Sequence, residues 1–133
     1  MNVNLGDTAS ISKVISQEDV EKFAQVSGDL NPVHIDDSYA ESTIFGKRIA
    51  HGILVGGLIS AVIGTELPGP GTIYLSQSFS FKKPVYFGDT VTAIIKVIKI
   101  KDDKPIITLD TQCINQNHEV VITGEAVVLI PGE

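Results

Sequence analysis

The run HGILVGGLISAVIGTEL, from His51 to Leu67, constrains this chain more than any other stretch. It reads as a helix that is apolar almost all the way round, and such a helix must be buried on most sides. Gly56 and Gly57 lower its intrinsic helix propensity. That cost implies a neighbour packed very close to them, a sheet or another chain. LPGPG follows and ends the helix abruptly. The apolar stretch from Gly52 to Gly64 is too short and too rich in glycine to span a bilayer, so no membrane association is expected.

The flanking segments supply the cover. ASISKVI alternates and reads as a first strand. Ser16 is placed to cap a helix over Gln17 to Ser27, with Glu18 and Asp19 in the first turn, where the helix dipole favours them. Val20, Phe23 and Ala24 share a face, and Gly28 is a natural stop. Pro32 pushes the residue before it out of the helical region, so SGDLNPVHIDD reads as an extended exit loop. DDSYAEST reads as a short surface helix. TIYLSQSFSF alternates Ile73, Leu75, Phe79 and Phe81 against Ser76, Ser78 and Ser80. TVTAIIKVIKI, PIITLDTQCIN and EVVITGEAVVLI are further strands rich in β-branched residues, joined by the turn-like KDDKP and NQNHE. KKPVYFGD carries Pro84 and Gly88 and predicts a bend or bulge. The order is strand, helices, antiparallel meander: an α+β fold with a long apolar helix against a curved sheet, in one domain over residues 1–133.

Composition narrows the function. A hydrophobic content of 43% with 20% charged residues is that of a globular chain rather than a disordered one. The formal net charge of −6 argues against a nucleic-acid surface, which needs a positive field. Cys113 is the single cysteine, so no internal disulfide forms and a reducing compartment is the simpler setting. MNVNLGDTAS lacks the basic start and apolar stretch of a signal peptide. A cytoplasmic location is therefore expected.

The chemistry concentrates in SGDLNPVHIDD. Asp29 and His34 lie five residues apart on a proline-stiffened segment, which can bring a carboxylate and an imidazole to one point. Such a pair can act as acid and base, or the carboxylate can hold the imidazole in one tautomer. Asn31 can anchor the loop. The commoner use of these residues is turn chemistry: Asx turns at Asp29 and Asn31, with His34 packed against Tyr39. Gly52 opens the long helix, where the first N–H groups lack an internal acceptor, and a glycine lets a ligand atom come close. Such an N–H suits a developing oxyanion, though a plain capping glycine is the simpler use. His51 reads as a side chain that packs, His118 as solvated in its turn, and Cys113 as a small core residue. The scattered histidines and the lone cysteine have no metal-ligand spacing, and no phosphate loop or dinucleotide fingerprint is present.

SGDLNPVH, IAHGILVGGLIS and GTIYLSQSFSFKKPVYFGDTV together resemble the MaoC-like (R)-specific enoyl-CoA hydratases of the hot-dog superfamily, over nearly the whole chain. The Asp-x-Asn-Pro-x-His element followed by His-Gly is shared with acyl-carrier-protein dehydratases. The resemblance implies a hot-dog fold, a long helix wrapped by a curved antiparallel sheet. It implies that Asp29 and His34 hold and activate a water, and that the Gly52 N–H binds the thioester oxygen. It further implies supporting roles for Asn31 and Ser60, the latter eight positions beyond Gly52 on a similar helical face. The implied substrate is a short-chain trans-2-enoyl-CoA, hydrated syn to the (R)-3-hydroxyacyl-CoA by a homodimer, with no metal and no cofactor besides the coenzyme A of the substrate. The alternatives are a 3-hydroxyacyl-[acyl-carrier-protein] dehydratase, an acyl-CoA thioesterase and a non-catalytic acyl-CoA-binding protein. The acidic chain favours coenzyme A over an acidic carrier protein.

Overall fold

The computed structural model describes residues 2–131. The outermost positions of the expected 1–133 domain lie outside the described residues. Strand β1 (Thr8–Val14) is followed by helices α1 (Gln17–Ser27), α2 (Pro32–Ile35), α3 (Asp37–Glu41) and α4 (Gly52–Thr65). Strands β2 (Ile73–Gln77), β3 (Ser80–Phe81), β4 (Thr90–Ile100), β5 (Ile106–Ile114) and β6 (Val120–Leu129) complete the chain. One antiparallel sheet runs in the order β1-β4-β5-β6-β2, with β3 also paired to β6. The expected meander is therefore β4-β5-β6, while β1 and β2 close the two edges.

Local chemistry sets the boundaries. Ser16 accepts the Asp19 N–H and the Asp19 carboxylate accepts the Ser16 N–H, a capping box that satisfies two otherwise unpaired donors. Gly28 ends α1 at φ 78°, with its N–H on Ala24 O. In β4 the buried residues are Val91, Ala93, Ile95 and Val97, the period-two pattern of a strand with one face on a core. That face meets Val55, Leu58, Ile59, Val62 and Ile63 of α4.

Two expectations need correction. TIYLSQSFSF is not one strand. It breaks between Gln77 and Ser80, and Ser78 is held to β6 by its N–H on Glu125 O. The break brings Ser78 O against Gly124, where a β-carbon would lie 1.9 Å away, so β6 needs a glycine there. Ile73 and Leu75 consequently sit on an exposed edge strand rather than in the core. Second, α4 is not enclosed on most sides within one chain. Ile53, Gly57 and Ser60 form an exposed stripe on its outer face. Only one of the paired glycines meets a close neighbour: Gly56 lies under the Phe79 ring, whereas Gly57 faces open space.

Candidate active site

The loop after α1 is built from side-chain bonds to its own backbone. Ser27 Oγ accepts the Asp29 N–H at 3.1 Å, and Asp29 Oδ1 accepts the Asn31 N–H at 3.2 Å. Asn31 Oδ1 accepts the Val33 N–H at 3.3 Å and caps α2. The segment is thus not extended throughout, as the proline had suggested. Pro32 restricts only Asn31, which has ψ 122°. Pro32 itself sits in the first turn of a helix, where its missing N–H costs nothing. The resulting turn carries His34 inward to 8% exposure.

His34 does not pack on Tyr39 as the turn reading supposed. Its Nδ1 lies 2.8 Å from Ile49 O, and since a carbonyl only accepts, Nδ1 carries the proton. Nε2 is left with its lone pair, and the residue lines a cavity. Burial pushes the His34 imidazole below its ordinary 6.5, against the bond to Ile49 O, which raises it; the adjacent His51 lowers it further. One side-chain atom each of Asp29, His34 and His51 lies within 4.8 Å of the others. Spacing thus brought the Asp29 and His34 side chains near one another, and the Asx turns at Asp29 and Asn31 are present as well, so the turn geometry leaves room for an acid–base pair.

Two residues that sequence reasoning undervalued hold this arrangement. Arg48, 7% exposed, donates from Nε to His34 O at 2.8 Å and reaches Glu21 at 3.4 Å and Asp37 at 3.7 Å, so it ties α1, α2 and α3 together. His51, taken above as mere packing, stacks on His34 with ring centroids 3.8 Å apart and 28° between planes. It also donates from Nε2 to Asp29 O at 3.0 Å. A basic residue just before His-Gly, at the mouth of an apolar helix, was the available signal for Arg48. Two of the histidines that are scattered along the sequence thus come together beside Asp29.

The cavity beside His34 has a volume of about 370 Å³, and Gly52, Ile53, Phe81 and Val85 contribute to its wall. Gly52 is the first residue of α4, where its N–H has no intrahelical acceptor. The Phe81 ring lies so close that a β-carbon on Gly52 would be 2.5 Å from it. Glycine here thus serves the packing of Phe81. Ile53 and Phe81 line the cavity, while Leu54 and Phe79 pack against the core. Ser60 is not brought to this cavity: it lies on the exposed stripe with Ile53 and Gly57. His118 is exposed, and Cys113 is fully buried with its thiol pushed up to about 12 by burial, which leaves it inert.

Residues 5–117 match the family model described as "MaoC like domain". The chain belongs to the MaoC-like family. Within that family it is 48% identical, over 98% of its length and 90% of the relative's, to an (R)-specific enoyl-CoA hydratase of Rhodospirillum rubrum. Its fold superposes on the solved (R)-hydratase of Aeromonas caviae, involved in PHA biosynthesis, with a TM-score of 0.95 and 45% identity, covering 98% of both chains. A Pseudomonas aeruginosa R-hydratase gives a TM-score of 0.92 at 45% identity, covering 98% of this MaoC-like chain and 84% of that one. The hot-dog architecture expected from the resemblance is thereby shown.

Proposed function

We propose that this protein is an (R)-specific enoyl-CoA hydratase that adds water reversibly to short-chain trans-2-enoyl-CoA thioesters. The observation that carries this reading is the placement of the Asp29 carboxylate within 4.8 Å of the buried His34 imidazole, which lines an apolar cavity shared with the Gly52 helix start. Identity of 48% to a relative of that name supports it.

The residues divide the reaction as follows. The Asp29 carboxylate and His34 Nε2 hold one water between them. As the water oxygen bonds to Cβ, its proton passes to this pair. The alkene electrons move toward Cα and the thioester carbonyl, and the Gly52 N–H, at the positive end of α4, binds the oxygen that gains charge. The proton then returns to Cα from the same side, which makes the addition syn. Asn31 keeps the loop in shape through its cap on α2. The steps need only water and side chains, so the assignment includes no metal and no cofactor beyond the coenzyme A of the substrate. A thioesterase would have to deliver the water to the carbonyl carbon instead, and a non-catalytic binder has no use for the acid–base pair. Dehydration on acyl carrier protein is the same chemistry on another thioester, and the net charge of −6 weighs toward coenzyme A.

The working unit in this reading is a homodimer in the cytoplasm, with no nucleic-acid or membrane partner. The β2 edge exposes Ile73, Tyr74 and Leu75, and α4 exposes its Ile53, Gly57 and Ser60 stripe; a second copy of the chain covers both. Ser60 then has a supporting role at the closed interface. The experiment is hydration of crotonyl-CoA in deuterated water, with chiral analysis and proton NMR of the product. The expected product is (R)-3-hydroxybutyryl-CoA formed by syn addition. An (S) product, anti addition, or release of free coenzyme A would overturn the reading.

A further inference from the structure

His51 stands at the N-cap of α4 yet makes no side-chain capping bond, so helix initiation does not explain it. It is 2% exposed, and its Nδ1 is buried without a hydrogen-bond partner among the described residues. Buried polar atoms are nearly always paired, because leaving one unpaired costs free energy that an apolar side chain would not incur. A phenylalanine would fill the same volume between the Phe23 ring, whose centroid is 4.8 Å away, and the His34 ring. What a phenylalanine cannot supply is the Nε2–H bond to Asp29 O.

That bond and the stack act on the two halves of the site at once. Asp29 belongs to the loop after α1, and its main-chain carbonyl would otherwise be tethered only through its neighbours. His34 belongs to α2, and its ring is held at Nδ1 by Ile49 O and on one face by His51. His51 lies next to Gly52 in sequence. One side chain therefore references the carboxylate, the imidazole and the oxyanion donor to one another.

We propose that His51 is a positioning residue for the hydration: its Nε2–H fixes the Asp29 main chain and its ring face fixes the His34 imidazole, so that both groups meet one water. This rests on the Asp29–His34 reading above. Misplacing a reacting group by about 1 Å can cost about 100-fold in rate while substrate binding is kept, so the effect belongs in kcat and not in KM.

The test compares three variants in crotonyl-CoA hydration, with melting temperature measured for each. His51→Phe keeps the ring face and removes the donor; His51→Gln keeps an N–H donor of similar reach. His51→Phe should lower kcat by about 10- to 100-fold with little change in KM, and His51→Gln should recover a part of that loss. Wild-type kcat in a folded His51→Phe protein would overturn the proposal, as would a folded His51→Gln protein no better than His51→Phe. Asp29→Asn, assayed in parallel, separates the two levels. If it keeps full turnover, the site reading itself fails and the proposal with it; if it is inactive while His51→Phe is unimpaired, only the proposal fails. Nitrogen-15 NMR of the wild-type imidazoles does not depend on any variant folding. It should find the proton on Nε2 of His51 and on Nδ1 of His34, and the opposite tautomer at His51 would overturn the proposal.

Discussion

The β4-β5-β6 meander and the segment from Asp29 to Gly52 are held by different forces. The meander buries Ile95, Leu109, Val121 and Val128 with no exposed area in the same apolar core as α4, packing that is without direction. The segment that carries the candidate site is held by bonds with donors and acceptors in fixed places. His34 donates to Ile49 O, Arg48 to His34 O and His51 to Asp29 O. In each of these a side chain grips a main-chain carbonyl. Apolar packing accepts several shapes of similar volume, whereas each polar bond accepts one geometry. The core thus supplies stability and the loop supplies placement, and substitutions should separate the two.

The largest effect expected is on rate alone. Asp29→Asn should lower turnover by about 10² to 10⁴ and leave the melting temperature nearly unchanged, since the Asp29 side chain is exposed and, among the described residues, bonds only the Asn31 N–H. Steady-state kinetics beside a thermal melt checks both halves. A large loss of stability would show that the loop and the core are not separable.

Leu109→Ala should do the reverse. Leu109 is fully buried under α4, and its truncation should cost about 2–5 kcal/mol of stability. The fraction that stays folded should keep the wild-type kcat. Urea denaturation with active-site titration measures it.

The paired glycines of α4 sharpen the contrast within one helix. Gly56→Ala drives a β-carbon to 2.7 Å from the Phe79 ring, and overpacking of this kind costs about 1–3 kcal/mol. Gly57→Ala meets nothing within 4 Å and should stabilise the isolated chain by up to about 1 kcal/mol through helix propensity. If a second chain packs on that face, Gly57→Ala will also weaken association, which light scattering across a dilution series detects.

The smallest effect is in pH. The His34 imidazole is held below its ordinary 6.5, chiefly by burial. Its unfolded form takes up a proton first as pH falls, so the folded state loses stability below about 6.5 until His34 is protonated in both states. For the same reason Nε2 keeps its lone pair, and the protein its activity, to a lower pH than free imidazole would. A pH profile of kcat/KM should show an acidic limb below 6.5.

Much of this was legible along the chain. Alternation marked β1, a shared apolar face marked α1, an unbroken apolar run marked α4 and β-branched residues marked β4 to β6, because these are properties of residues close together in the chain. Ser16 and Gly28 bounded α1, since a cap is a local bond. Asp29, Asn31 and His34 stood out because a loop that makes Asx turns and meets an apolar helix carries more polar chemistry than a turn needs.

What the chain could not state was decided by contacts between distant residues. The break in TIYLSQSFSF depends on Gly124, which leaves room for Ser78 O in a strand more than forty residues away. The one-turn helix at Pro32 won over an extended loop because Arg48 and Ile49 supply partners for His34 from beyond α3. Ser60 faced outward because α4 has its sheet on one side only. His51 looked like packing because a single imidazole says nothing about which carbonyl it will meet. Short-range preferences are properties of neighbouring residues and so can be read in order. A stacked ring or a hydrogen bond across 22 residues exists only once the fold has brought both partners to one place.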